Sequence, residues 1–175
     1  MKSAALLSVV ALAMACAAQE PPRPAPPKRF ELAGVAKMES AFELKLENLD
    51  QADPFDRLGA CSGVYLSGYG LVFTTPLSLA HAPEFGPFTS GYTPQKAEVV
   101  HNRKLAHLPA LRTAMREMLM DAAKAFTALP PNEKLVVAVR LFYMNYEDRT
   151  GLPGQIVMTA DRASAIAGNI QVDER

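Results

Sequence analysis

Gly59–His81 reads GACSGVYLSGYGLVFTTPLSLAH, and the fold turns on it. Val64, Leu66, Tyr69, Leu71 and Phe73 are apolar and alternate on either side of Ser67-Gly68. A two-residue Ser-Gly connection suits a primed turn, because glycine takes positive φ at no steric cost. This predicts a hairpin with Leu66 opposite Tyr69, Tyr65 opposite Gly70 and Val64 opposite Leu71. Leu66, Tyr69, Val64 and Leu71 would then share the core face. The Tyr65 ring would cover the bare backbone of Gly70. The second strand is expected to run to about Leu77, with Pro76 marking its end.

On the N-terminal side, Phe30–Asp50 fits a helix. Ala33, Val35, Met38, Phe42 and Leu49 suit helical spacing, and Ala, Glu, Lys, Met and Leu dominate. Phe42–Glu47 also alternates as a strand would; the absence of β-branched residues after Val35 favours the helix. Asn48–Leu58, with Asp50, Asp53-Pro54 and Asp56, reads as a turn-rich connector into the hairpin.

On the C-terminal side, His81–Pro94 reads as a Pro/Gly loop carrying Phe85, Phe88 and Tyr92. Those rings either fold back over the core or form a binding surface. Thr93-Pro94 is a helix start, a threonine cap followed by proline at the first helical position. From there the spacing predicts a long helix, bending or restarting at Pro109 and ending at Leu129 before Pro130-Pro131. Leu108, Leu111, Met115, Met118, Leu119, Ala122 and Phe126 form its apolar stripe, with Arg112, Arg116 and Lys124 off it on a solvated face.

Lys134–Tyr146 is apolar on both faces, which predicts a strand in the middle of a sheet. Glu147–Gly154 is a polar turn, Gln155–Ala160 the returning strand, and Asp161 caps a short helix over Arg162–Gly168 before a polar end. The expected fold is α+β. An antiparallel sheet of about four strands, in two hairpins, carries one long helix and shorter helices in the order α-β-β-α-β-β-α. That order resembles the profilin-like arrangement of roadblock and longin domains, which build protein–protein assemblies.

Of the 175 residues, Lys+Arg and Asp+Glu both number 18, so the net charge is zero. No basic stripe favours nucleic acid, and no stretch after residue 20 is long and apolar enough to span a bilayer. Residues 1–18 read as a signal peptide: Lys2, then the apolar core Ala4–Ala13, then small residues for cleavage. Residues 19–29 are a proline-rich spacer and residues 30–175 a single α+β domain. Cys16 after small residues also fits a lipid anchor, although Ala13 stands where such signals carry an aliphatic residue. Removed or acylated, Cys16 leaves Cys61 without a disulfide partner.

Cys61-Ser62-Gly63 resembles the Asp-Cys-Ser-Gly motif of the NlpC-type cell-wall endopeptidases, with Ala60 in place of the Asp. The resemblance implies a thiol hydrolase, with Cys61 as nucleophile and His101 or His107 as its base. The other reading of Cys61 is a small buried residue at a strand start. His81, His101 and His107 lack metal-ligand spacing, since His101 and His107 are six apart and fall on different sides of a helix. No phosphate-cradling glycine loop and no hydrolase nucleophile elbow is present, so neither a metal nor a cofactor is expected.

Four segments, YLSGYGLVFTT (65–75), LPALRTAMREML (108–119), LPPNEKLVVAV (129–139) and GLPGQIVMTADR (151–162), together resemble small exported bacterial proteins of unassigned function. That resemblance implies one coherent domain and no activity. The expected role is an exported, periplasmic or extracellular binding or assembly module with a protein partner in the cell envelope. The alternatives are the thiol hydrolase at Cys61 and a lipid-anchored accessory subunit.

Overall fold

The computed structural model describes residues 32–50, 52–81 and 93–175. The expected signal peptide, the proline-rich spacer with Cys16 before it, and Phe85, Phe88 and Tyr92 lie outside the described residues.

In chain order the elements are α1 (Leu32–Glu47), β1 (Asp56–Arg57), β2 (Ser62–Leu66), β3 (Gly70–Ser78), α2 (Pro94–Ala125), β4 (Lys134–Leu141), β5 (Gln155–Asp161), α3 (Arg162–Ile166) and β6 (Gln171–Glu174). Among the described residues the fold is α+β, with one long helix and a six-stranded sheet. Six strands replace the expected four or so. The added β6 forms where a loose polar end is expected. It pairs with β5, and Arg112 of α2 grips Glu174 with two hydrogen bonds of 2.7 Å. A strand with this little apolar alternation has no local signal; its partners make it.

The sheet is not wholly antiparallel, as expected, but mixed. β2–β3 and β4–β5 are antiparallel hairpins. They join through a parallel pair, Gly70 opposite Lys134 to Leu77 opposite Leu141. A parallel pair needs a long crossover, and α2 is that crossover. β4 lies between β3 and β5, in the middle of the sheet.

The hairpin is present in a register one residue away from the expected one. Leu66 faces Gly70, Tyr65 faces Leu71 and Val64 faces Val72. The turn is Leu66–Tyr69, closed by the Tyr69 N–H donating to the Leu66 carbonyl at 3.0 Å. Gly68, at φ +81°, is its third residue, the position at which a type II turn demands glycine. Tyr69 therefore belongs to the turn. Because side chains alternate with period two, a shift of one residue exchanges the faces. Val64 and Leu66 point away from the core, and Gly63 and Tyr65 lie on its side, beside buried Phe73 and Leu71.

Pro76 does not end β3. It sits inside the strand, and its carbonyl accepts from the Leu58 N–H. The cost falls on the neighbouring edge. Proline offers no N–H and its ring crowds the adjacent backbone, and the edge strand is interrupted there, as β1 on one side of residues 58–61 and β2 on the other.

α2 starts as expected, with the Thr93 hydroxyl accepting from the Lys96 N–H. It passes Pro109 without a break, the Thr113 hydroxyl donating to the Pro109 carbonyl at 3.0 Å. It ends at Ala125, before the two prolines are reached. Its apolar stripe, with Phe42 of α1, packs on Phe73, Leu135, Val137 and Met158 to form the core. Asp161 caps α3 through the Ser164 N–H at 2.8 Å.

Candidate functional site

The helices cover one face of the sheet. The other face carries the alternate residues of each strand: Val64 and Leu66 of β2, Val72 of β3, Val136 and Ala138 of β4, and Val157 of β5. Val64 is 52% exposed, Leu66 48% and Phe142, just past β4, 49%. Val64, Val72, Val136 and Thr159 stand in one row across four strands. A shallow depression on this face is lined by Thr74, Pro76, Ala138, Arg140 and Gln155. The outer positions are mixed: Val64, Leu66, Val72, Val136 and Val157 are branched and apolar, while Ser62, Thr74, Lys134, Arg140, Gln155 and Thr159 are polar.

Cys61 stands at the start of β2, buried and free. The outward N–H groups of this edge meet carboxylates of α1. The Cys61 N–H donates to Glu43 at 2.7 Å and the Gly63 N–H to Glu39. Arg57 ties the same helix down, bridging Glu43 at 3.2 Å and Glu47 at 2.8 Å. These carboxylates satisfy an edge that otherwise invites another strand. A Cβ at Gly63 would lie 2.5 Å from Val35 and 2.8 Å from Phe73, so that glycine lets α1 approach.

Burial, and then the Glu39 and Glu43 carboxylates, push the Cys61 thiol up to about 12. A nucleophilic thiol needs the reverse, a cationic neighbour and access. In the folded chain at neutral pH, Cys61 should react with iodoacetamide roughly a hundredfold or more slowly than a free thiol. A native-state reaction at the rate of the unfolded chain, read by mass, would refute this environment.

The histidines gather elsewhere. His107 of α2 is buried; its Nδ1 binds the Leu79 carbonyl, and its Nε2 lies 3.5 Å from Asp53 and 3.8 Å from Asp50. Phe55 packs edge-on against the ring at 5.0 Å, and Arg103 bridges Asp53 at 2.9 Å. This cluster fastens the 50–56 connector to α2. Leu79 is five residues beyond Thr74, the partner of Ser62, so it lies about 16 Å along β3 from the cysteine end of β2. His101 sits six residues earlier on α2 and meets the Asp148 carbonyl at 3.1 Å. His81 is exposed, 3.4 Å from the Pro54 carbonyl. The structure thus places Cys61 among carboxylates and each histidine with partners of its own. Among the described residues no three His, Cys, Asp or Glu side chains gather as a metal site.

Two buried polar clusters give no motif in the sequence. Lys104 of α2 is bonded to Glu147, with side chains 2% and 7% exposed. The Lys104 ammonium lies 5.0 Å from the Tyr143 ring centre, and the Tyr143 hydroxyl donates to the Pro153 carbonyl at 2.7 Å. Burial, with Glu147 adding to it, pushes the Tyr143 phenol up to about 12. The signal for Lys104 was its spacing, since it falls on the same stripe as Val100, Leu108 and Leu111. In the second cluster, Glu133 accepts from the Gly68 N–H at 3.0 Å and the Tyr65 hydroxyl at 3.1 Å. It holds the hairpin turn against the start of β4. Comparison with family models, with curated proteins and with solved structures finds no match to this chain.

Proposed function

We propose that this protein is an exported bacterial envelope protein that acts as a binding or assembly module, docking through the helix-free face of its sheet. The observation that carries the reading is the half-exposed apolar surface of Val64 and Leu66 beside Val72 on the helix-free face. Large apolar side chains exposed side by side on one face are characteristic of interaction sites. Chemistry at Cys61 finds no support in its raised thiol.

A pair of variants tests the reading in cells. Val64→Ser with Leu66→Ser should keep the fold, with a loss of no more than about 1 kcal/mol, and abolish the knockout-complementing phenotype. Cys61→Ala should complement fully. Loss of complementation by a folded Cys61→Ala protein, with the serine variant active, would overturn the proposal.

A further inference from the structure

The connector between α1 and β1 is held by groups that the docking reading does not use. We propose that His107 and His81 form a pH-sensitive latch. Protonated, they fasten the 50–56 connector to α2 and to the end of β3; on losing their protons they release it.

His107 is the main catch. Its Nδ1 meets the Leu79 carbonyl, and a carbonyl oxygen only accepts, so Nδ1 holds a proton. A neutral ring then turns a bare lone pair outward at Nε2. Nε2 faces Oδ2 of Asp53 at 3.5 Å and Oδ2 of Asp50 at 3.8 Å. A lone pair set against two carboxylates is repelled; a second proton on Nε2 makes the same contacts an ion pair. The other Asp50 oxygen accepts from the Ala52 and Asp53 N–H groups at 2.9 and 3.1 Å. That turn keeps the Asp50 carboxylate aimed at the ring.

Burial of the ring opposes its charge, and the neighbouring charges offset this. Asp50, Asp53 and Asp56 lie along the connector, and Arg103 of α2 bridges Asp53 at 2.9 Å. The next cations on either side are taken, Lys104 by Glu147 and Arg57 by Glu43 and Glu47. Among the described residues Arg103 thus stands against three aspartates, and the cluster balances only when both histidines are charged. His81, just past β3, repeats the pattern at the surface. Its Nδ1 lies 3.4 Å from the Pro54 carbonyl and its Nε2 3.9 Å from Asp56. Being exposed, it adds less than His107.

The folded chain therefore keeps protons that the unfolded chain sheds near about pH 6.5. A fold that binds more protons than its unfolded state loses stability as the pH rises. The latch is closed under mildly acid conditions and opens as the pH rises through neutrality. Below about pH 4 the aspartates take up protons and it opens again. β1 begins at Asp56, so opening also loosens its two rungs with Ser78 and Leu77.

Amide hydrogen exchange of the full chain, followed by NMR from about pH 5.5 to 8.5 and corrected for intrinsic rates, tests the latch. Protection of the Asp53 and Leu58 amides should fall about tenfold or more over that range. His107→Gln offers the aspartates an N–H that does not titrate, so most of the fall should vanish. Asp50→Asn with Asp53→Asn should remove it as well, because the ring then gains nothing from a second proton. In the wild type, nitrogen shifts of the His107 ring should show two N–H groups at neutral pH. This measurement decides the matter if the variants do not fold.

Wild-type protection that stays level or rises with pH overturns the latch. A His107 ring with a single N–H at mildly acid pH does the same, as does a fall that persists undiminished in His107→Gln.

Discussion

Lys104→Ala should lower the stability of the folded chain by about 3–5 kcal/mol, the cost of stranding a buried partner charge. Lys104 and Glu147 are shut in between α2 and the loop after β4, the ammonium against the Tyr143 ring. Removing the ammonium leaves the Glu147 carboxylate in a site with little water. Glu147→Ala should cost a similar amount, since it strands the ammonium. The double variant Lys104→Met/Glu147→Leu removes both charges and keeps the volume, so it should recover most of the loss. Urea unfolding of the wild type, both single variants and the double variant closes the cycle. A loss below about 1 kcal/mol for both single variants, the scale of a surface ion pair, would contradict a buried bridge.

The second large effect is expected at Gly70. Its φ is +136°, and a Cβ there would overlap the Lys134 carbonyl oxygen and lie 2.5 Å from Lys134 N. The obstruction is backbone, so no rotamer change relieves it. Gly70→Ala should therefore cost on the order of 3 kcal/mol, by strain and by opening the first rungs of the β3–β4 pair. Gly68→Val makes a useful contrast. Gly68 sits at φ +81° with open space around it, so only backbone strain opposes the valine, on the order of 1–2 kcal/mol. Melting curves for the two variants should differ in that order. A smaller loss at Gly70 than at Gly68 would mean that the hairpin does not lie against the start of β4.

Much of this architecture was legible because its signals are local. Thr93-Pro94 caps α2 through one side chain and one fixed φ, both readable from neighbours in sequence. The stripe from Leu108 to Leu119 buries as its period implies, and Leu135–Val139 is apolar on both faces, as a central strand is. Asp161 caps α3 for the same kind of reason.

The hairpin shows where such reading stops. Ser67-Gly68 suits a two-residue turn locally, yet the chain uses Ser67, Gly68 and Tyr69. Glu133, 65 residues from Gly68, binds the Gly68 N–H and the Tyr65 hydroxyl. The Lys134 N–H also donates to the Tyr69 carbonyl at 2.8 Å. These contacts exist only once β4 is in place, and they favour the longer turn. The consequence for the candidate site is large. In the shorter turn Val64 and Leu66 face the core; in the observed one they face out, on the surface proposed for docking.

Pro76 makes the same point. Proline argues against a strand interior by its missing donor, but β3 continues because the gap falls between β1 and β2, where no ladder bond is needed. The Cys-Ser-Gly triplet meant one thing as a motif and another in place. Glu39 and Glu43, one helical turn apart on α1, receive the N–H groups of Gly63 and Cys61 and raise the thiol.

By itself, then, the sequence determined the α+β class, the long central helix with its cap and stripe, the central strand and the two hairpins. Each of these follows from the spacing of apolar residues and the chemistry of neighbouring ones. Only the tertiary structure decided the register of the first hairpin, the parallel joining of the two hairpins and the existence of β6. It alone decided the burial of Lys104 and Glu133 and the company kept by Cys61. Those features rest on contacts between residues tens of positions apart, whose free energy appears only when the helices have closed over one face of the sheet and left the other open.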